Sequence, residues 1–335
     1  MNIYDIAKLA NVSIATVSRV VNNSPKVSKK TKEKVLAIMN ENEYTPNAFA
    51  RGLGLGSMKT IGIICPDIAD IYMAKAISYL EKNLHEYGYD CILGCSGFGQ
   101  KEKESHVKLL LSKKIDTLVL IGSTYAGSGR DDSETDYIRE AAGQTPVFMI
   151  NAKVNGDNIY CTYADYFQST YEVTKAFLRR GKEKILFMYD SESFSAKQKL
   201  SGYEAALQDA GYPIRGDLKF KTKNDIEYTK NMLLEYNKTL DFDSVIATED
   251  GIAIGAIKYA KIKALSIPED LAITGYNNSI LALSSEPELT SVDSKLEILC
   301  KKTVERMIGL LENGMQIEKN ICVPCEIIRR CTTDF

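Results

Sequence analysis

The 335-residue chain has no tryptophan, only two histidines and eight prolines. His85 and His106 each lie in a charged, helix-like stretch, and a zinc site normally needs a second cysteine pair or histidines at matching spacing. Cys322-Val323-Pro324-Cys325 is a solitary CxxC, and Cys91 and Cys95 lie four apart without a matching second pair. Metal binding is therefore not expected, and neither is a cofactor. No nucleophile–base pair stands out either, which removes the usual basis for an enzyme. Also missing is an apolar run near the ~20 residues that a membrane span needs. The start, Met1-Asn2-Ile3-Tyr4-Asp5, lacks the basic segment and apolar stretch of a secretion signal. The expectation is a cytoplasmic protein with no membrane partner, and eight scattered cysteines without framework spacing agree with a reducing compartment.

What is present is unevenly distributed. The net charge of −2 conceals a basic end: residues 1–60 hold nine Lys/Arg against four Asp/Glu, leaving −7 for the rest. A basic end on an acidic body suits a nucleic-acid-binding head on a metabolite-binding domain. The pattern inside that end is more specific. Residues 4–10 read as a short helix with Ile6, Ala7 and Ala10 at helical spacing. Asn11-Val12-Ser13 is a polar turn whose serine is placed to cap the next helix. That helix, residues 14–21, turns Val17, Val20 and Val21 inward and leaves Ile14, Ala15, Ser18 and Arg19 outward. A third helix begins after Ser28, runs to about Asn42, and is expected to bury Val35, Leu36 and Met39. Three short helices with a tight first turn make a helix-turn-helix.

In such a unit the N-terminal end of the second helix enters the major groove. Arg19 is then placed for the bidentate contact to guanine O6 and N7, and Ile14 and Ala15 for apolar contact such as a thymine methyl. Thr16, Ser18, Ser28 and Lys29 would serve phosphates, which position without reading sequence.

The run from Ile3 to Asn22 closely resembles, without gaps, the headpiece of the lac repressor (LacI/GalR) family. Tyr44-Thr45-Pro46-Asn47-Ala48-Phe49-Ala50-Arg51-Gly52-Leu53 resembles that family's hinge helix. The resemblance implies that paired hinge helices enter the minor groove of operator DNA. Leu53 would wedge a central base step, and Asn47 and Ala50 would lie against the groove or the partner helix. The glycines of Gly52-Leu53-Gly54-Leu55-Gly56 follow a helix and precede a strand, the reverse of a dinucleotide fingerprint, so they read as a linker.

From residue 61 onward, short apolar strands alternate with amphipathic helices, the pattern of parallel sheets covered on both faces. Two such runs, split near residue 161, predict two lobes with a cleft between them. Gly202-Tyr203-Glu204-Ala205-Ala206-Leu207, Thr248-Glu249-Asp250-Gly251-Ile252-Ala253 and Gly275-Tyr276-Asn277-Asn278 resemble landmarks of the same family's core. The resemblance implies an α/β two-lobed, periplasmic-binding-protein-like (type I) core with crossing connections behind the all-α headpiece. The expected domains are a headpiece over 1–45, a hinge and linker over 46–60, and an effector and dimerisation core over 61–335. Within the core, the first lobe is expected over about 61–161 plus 290–320 and the second over about 162–289 plus 321–335.

Ligands in open α/β sheets bind beyond the carboxyl ends of the strands. The loops there nominate Asp67, Asp70 and Tyr72 from the first lobe. From the crossover and second lobe they nominate Asn151, Asp165, Ser195, Lys199, Lys223, Glu249 and Asn277. The chain departs from the sugar-binding members of the family in carrying Lys199 three residues before the GY glycine, Asn277 where Asp is common, and Glu249 where Asn or Ser often stands. Lys199 and Lys223 favour an anionic effector, a sugar acid or sugar phosphate; Glu249 argues the other way. A protein co-regulator is the alternative to a small molecule. The resulting expectation is a homodimeric, sequence-specific regulator, a repressor of carbohydrate genes. It would bind near-palindromic double-stranded operator DNA and answer to a sugar-class effector. A solute-binding protein and an enzyme are the competing classes.

Overall fold

The computed structural model describes residues 1–22, 24–44, 57–236 and 241–335. The hinge residues Asn47, Ala50 and Leu53 fall outside these.

Helix α1 (Ile3–Ala10) begins at Asn2, whose side chain accepts from the N–H groups of Tyr4 and Asp5 while Asp5 accepts the Asn2 N–H in return. This reciprocal cap satisfies donors that a helix start otherwise leaves open. The chain then turns at Asn11, in the left-handed region at φ 50°, a conformation asparagine tolerates better than most residues. Ser13 caps α2 (Ile14–Val21) by accepting the Thr16 N–H at 3.2 Å. Ser28 caps α3 (Lys29–Glu41) in the same way through Thr31. Ile6, Ala7, Ala10, Val17, Val20, Val35 and Met39 form the small core of the unit. One expectation fails here: Leu36 is 43% exposed. Val35 and Met39, four apart, share the inward face, and Leu36 lies about 100° around the helix from Val35. Ile38 packs against the core instead.

The core proper follows in chain order as β1 (Thr60–Cys65), α4 (Ile71–Glu86), β2 (Asp90–Cys95), α5 (Gln100–Leu111), β3 (Thr117–Ile121), α6 (Asp136–Ala142), β4 (Val147–Ile150) and β5 (Ile159–Ala164). Next come α7 (Tyr166–Arg179), β6 (Ile185–Tyr189), α8 (Phe194–Asp209), β7 (Lys219–Lys221), α9 (Ile226–Tyr236), β8 (Ser244–Ala247), α10 (Asp250–Ile262), β9 (Ala272–Tyr276), α11 (Ile280–Ser284) and β10 (Thr290–Asp293). The chain ends with α12 (Leu296–Asn313), β11 (Asn320–Val323) and β12 (Glu326–Ile328).

Two six-stranded sheets result, ordered β11-β5-β4-β3-β1-β2 and β12-β10-β9-β8-β6-β7. Every pairing is parallel except β10 with β12. The central strands β3, β4 and β8 are buried at every position, as parallel strands covered on both faces should be.

The sheets correct the expected lobe boundaries. β5 belongs wholly to the first sheet, so that lobe runs past 161 to Ala164. β10 belongs to the second sheet and β11 to the first, so residues 290–293 and 321–323 exchange lobes relative to the expectation. The chain thus crosses between lobes three times, after Ala164, Asp293 and Val323. A strand-then-helix reading has no means of telling which sheet a late strand will join, because both sheets offer an edge.

Candidate functional site

The second helix of the headpiece presents its polar and small side chains outward. Ile14, Ala15 and Arg19 are exposed, and Thr16 and Ser18 are half-buried. The Ser13 and Thr16 hydroxyls lie 2.9 Å apart at the helix start, so the first turn is fixed before any DNA arrives. Ser28 and Lys29 are exposed at the start of α3, beside Lys30. Open N–H groups and the positive end of a helix dipole make that end favourable for a phosphate.

Between the lobes lies a cavity of about 1230 Å³, walled by the loops that leave the carboxyl ends of both sheets. Each wall follows from local structure. After β1 the chain passes Pro66 and Asp67 to Asp70, whose carboxylate caps α4 by accepting the Met73 N–H at 3.0 Å. Tyr72 is thereby aimed from the first turn of α4 into the floor. Asn151 directly follows β4 and Asn277 directly follows β9, both at positive φ, 64° and 86°. Non-glycine residues held this way are sparse and cluster at ligand sites.

The floor is built around Lys199, which is 1% exposed. Its Nζ donates to the Thr248 carbonyl at 2.7 Å and stands 3.9 Å from Glu249 Oε1. It also stands over the rings of Tyr166 and Tyr276, at 4.7 and 4.2 Å from their centroids. Burial lowers the Lys199 pKa, opposed chiefly by the Glu249 carboxylate. Burial raises that of Glu249; Lys199 pulls it back, and Asp190, Asp70 and Asp250 push it up further. Glu249 also accepts from Asn277 Nδ2 at 2.5 Å. Asp250 is occupied elsewhere, accepting from the Ser279 N–H and the Ser291 hydroxyl.

Of the ten nominated residues, nine line the cavity: Asp67, Asp70, Tyr72, Asn151, Ser195, Lys199, Lys223, Glu249 and Asn277. Asp165 does not. It caps α7 through the Gln168 N–H at 3.0 Å, and its loop sits at a lobe crossover rather than in the cavity wall. The nominations missed Asp190 and Ser123, which follow β6 and β3 and were within reach of the same strand-end rule. They also missed Tyr166 and Tyr276, whose role as the bed of a buried lysine has no signal in linear sequence.

The anionic preference drawn from two lysines does not survive the full lining. Asp67, Asp70, Asp190, Asp225, Glu227, Glu249, Asp250, Asp293 and Glu297 face the cavity against Lys75, Lys199, Lys223 and Lys295. Lys199 is already engaged, Lys295 pairs with Asp293 and Glu326, and Lys223 lies over the Tyr228 ring. Several buried polar atoms of the lining have no partner, among them Asn151 Oδ1, Thr248 Oγ1 and Asn277 Oδ1. Such groups cost free energy unless something meets them.

Among the described residues no helix is long and apolar enough to cross a membrane.

Comparison with known proteins bears on both halves of the chain. Residues 2–47 match the family model for bacterial regulatory proteins of the lacI family. Residues 58–331 match the model for periplasmic binding proteins and the sugar binding domain of the LacI family. An HTH-type transcriptional regulator of Lachnoclostridium phytofermentans is 44% identical over all of both chains. The HTH-type transcriptional regulator DegA of Bacillus subtilis is 30% identical over 99% of this chain and 97% of its own. Among solved structures, the lac repressor dimer bound to operator and the anti-inducer ONPF superposes with a TM-score of 0.88 at 22% identity, over 99% of this chain and 98% of that one. A capped helix-turn-helix in front of two parallel-sheet lobes, matched along its length by such relatives, places the chain in the lacI family of bacterial regulatory proteins, as a DNA-binding transcription regulator.

Proposed function

We propose that the chain acts as a homodimeric repressor whose hold on a near-palindromic operator is set by a small, hydroxyl-rich effector of the sugar class, bound in the cleft between the lobes. The observation that carries the effector half is the cavity itself. It is walled by both lobes and lined with unpartnered buried polar atoms. A ligand held by both lobes favours one lobe arrangement over others, and the headpieces joined to the first lobe would feel that change as a change in spacing. Ser195, Asn151, Thr248 and Asn277 suit hydroxyl groups; Ser195 Oγ already donates to Ser123 Oγ of the other lobe at 2.9 Å.

In the headpiece, Arg19, Ile14 and Ala15 read bases, while Thr16, Ser18, Ser28 and Lys29 hold phosphates. Asn47, Ala50 and Leu53 complete the contact in the minor groove. Pairing of two copies is favoured because one headpiece offers little surface for tight specific binding. Exposed Ile68, Ile280 and Leu283 on the core are the kind of surface that a second copy would cover.

A thermal-shift screen against neutral sugars, amino sugars, sugar acids, sugar phosphates and nucleobases tests the effector half. A ligand at about 100 times its Kd adds about 2.7 kcal/mol of stability. A shift that also changes operator affinity supports the reading. A complete absence of shifts removes the small molecule and moves a protein co-regulator forward.

A further inference from the structure

The cleft brings carboxylates from opposite lobes together, and Lys199, the cation beside Glu249, is already engaged with the Thr248 carbonyl. Asp70 comes from the first lobe, and Asp190 and Glu249 come from the second. Asp70 uses one oxygen to cap α4, and Glu249 has only the already engaged Lys199 nearby, at 3.9 Å. Asp190 accepts no hydrogen bond and forms no ion pair among the described residues. Burial raises the pKa values of Asp70 and Glu249, and the nearby Asp190 carboxylate adds to both. Two further groups that are more than nine-tenths buried and face the cavity also lack partners: Asn151 Oδ1 and Thr248 Oγ1. Asn277 Oδ1, whose amide nitrogen is taken by Glu249, is a third unmet acceptor.

The carboxylate and amide oxygens among these groups can only accept, and they call for donors on a ligand. A neutral polyol can satisfy the amide and hydroxyl oxygens, but it leaves the carboxylates facing each other across the cleft. Closing the lobes on such a ligand brings like charges together in a poorly solvated space. A ligand cation between them reverses that sign, turning repulsion between the lobes into two attractive contacts.

We infer that the effector carries a protonated amine: an amino sugar or similar aminated polyol, its ammonium between Asp70, Asp190 and Glu249 and its hydroxyls on Asn151, Thr248 and Asn277. This inference rests on the reading of the cleft as an effector site. It narrows the ligand class, and it gives the ligand a means of favouring the closed lobes. Among the described residues no three His, Cys, Asp or Glu are gathered as metal ligands.

The test is calorimetric titration of the full chain with matched probes: glucose, glucosamine and N-acetylglucosamine, the corresponding galactose set, and gluconate. The amine-bearing member of at least one set should bind about tenfold or more tighter than its hydroxyl and N-acetyl partners, as loss of a charge-assisted contact implies. In Asp190→Asn that ratio should fall toward one, and Asp190→Glu should keep it; thermal unfolding of both variants shows whether they are folded. Equal or tighter binding of the neutral members, or binding of gluconate alone, overturns the ammonium while leaving a small-molecule effector in place. No binding by any probe at about 10 mM, well above a millimolar Kd, overturns both readings.

Discussion

Arg19 and Lys29 are both basic and exposed, yet they should fail differently when removed. Arg19→Ala should cost about 1–3 kcal/mol of operator affinity and relax preference at one base position. Lys29→Ala should weaken binding to all sequences alike and lower the salt slope by about one. Fluorescence anisotropy at several salt concentrations separates the two outcomes. In the cleft, Lys199 and Glu249 form a coupled pair. Glu249 has a folded-state pKa above its ordinary 4.5. Its contribution to stability is therefore complete below that ordinary value and is lost as pH rises through the raised one. Lys199→Met removes the cation nearest to Glu249, so ionising the carboxyl becomes costlier still. The variant should be near neutral, or more stable than the parent, at pH 5 and progressively less stable toward pH 8. Thermal unfolding across that range reads the trend, and a pH-independent difference would detach Glu249 from Lys199.

Among the elements, α7 and α8 pack most closely through a glycine. A Cβ on Gly202 would stand 2.2 Å from the Phe167 carbonyl oxygen, and backbone cannot swing away as a flexible side chain can. Gly202→Ala should cost at least about 1–3 kcal/mol, seen as a drop of several degrees in Tm. An unchanged Tm would mean that these helices are not held at that distance. Ser13→Ala, by contrast, removes a cap and should cost about 1 kcal/mol, confined to the headpiece transition. Element by element, linear sequence carried much of this. Asn11-Val12-Ser13 spelled the turn and the cap, and the apolar spacing of Val17 and Val20 marked the buried face of α2. It failed at Leu36, where an apolar residue beside Val35 gave no sign of which would turn inward. It also assigned nothing to β5, whose Tyr160 and Thr162 interrupt the apolar run that marks a buried strand. The strand-end rule found nine residues of the cavity lining because every strand end of a parallel lobe faces the same way.

At the scale of the molecule, the lining taken as a whole changed the chemistry expected of the site. Two lysines, read singly, suggested an anion; nine acids around them, one already holding Lys199, do not. Net charge inside a cavity depends on which loops converge, and that depends on the three lobe crossovers, two of which sequence placed a strand away from where they occur. In the proposed function the same crossovers would tie ligand binding to the relative position of the lobes, and so to the headpieces. The account stands or falls on whether this chain selects DNA by sequence. The most direct measurement is selection of bound duplexes from a random library by the full chain, with Arg19→Ala run in parallel. The account predicts enrichment of a near-palindrome with two related half-sites, and loss of one specified base pair per half-site in the variant. Recovery of duplexes without a shared sequence, with affinity tracking salt alone, would contradict it.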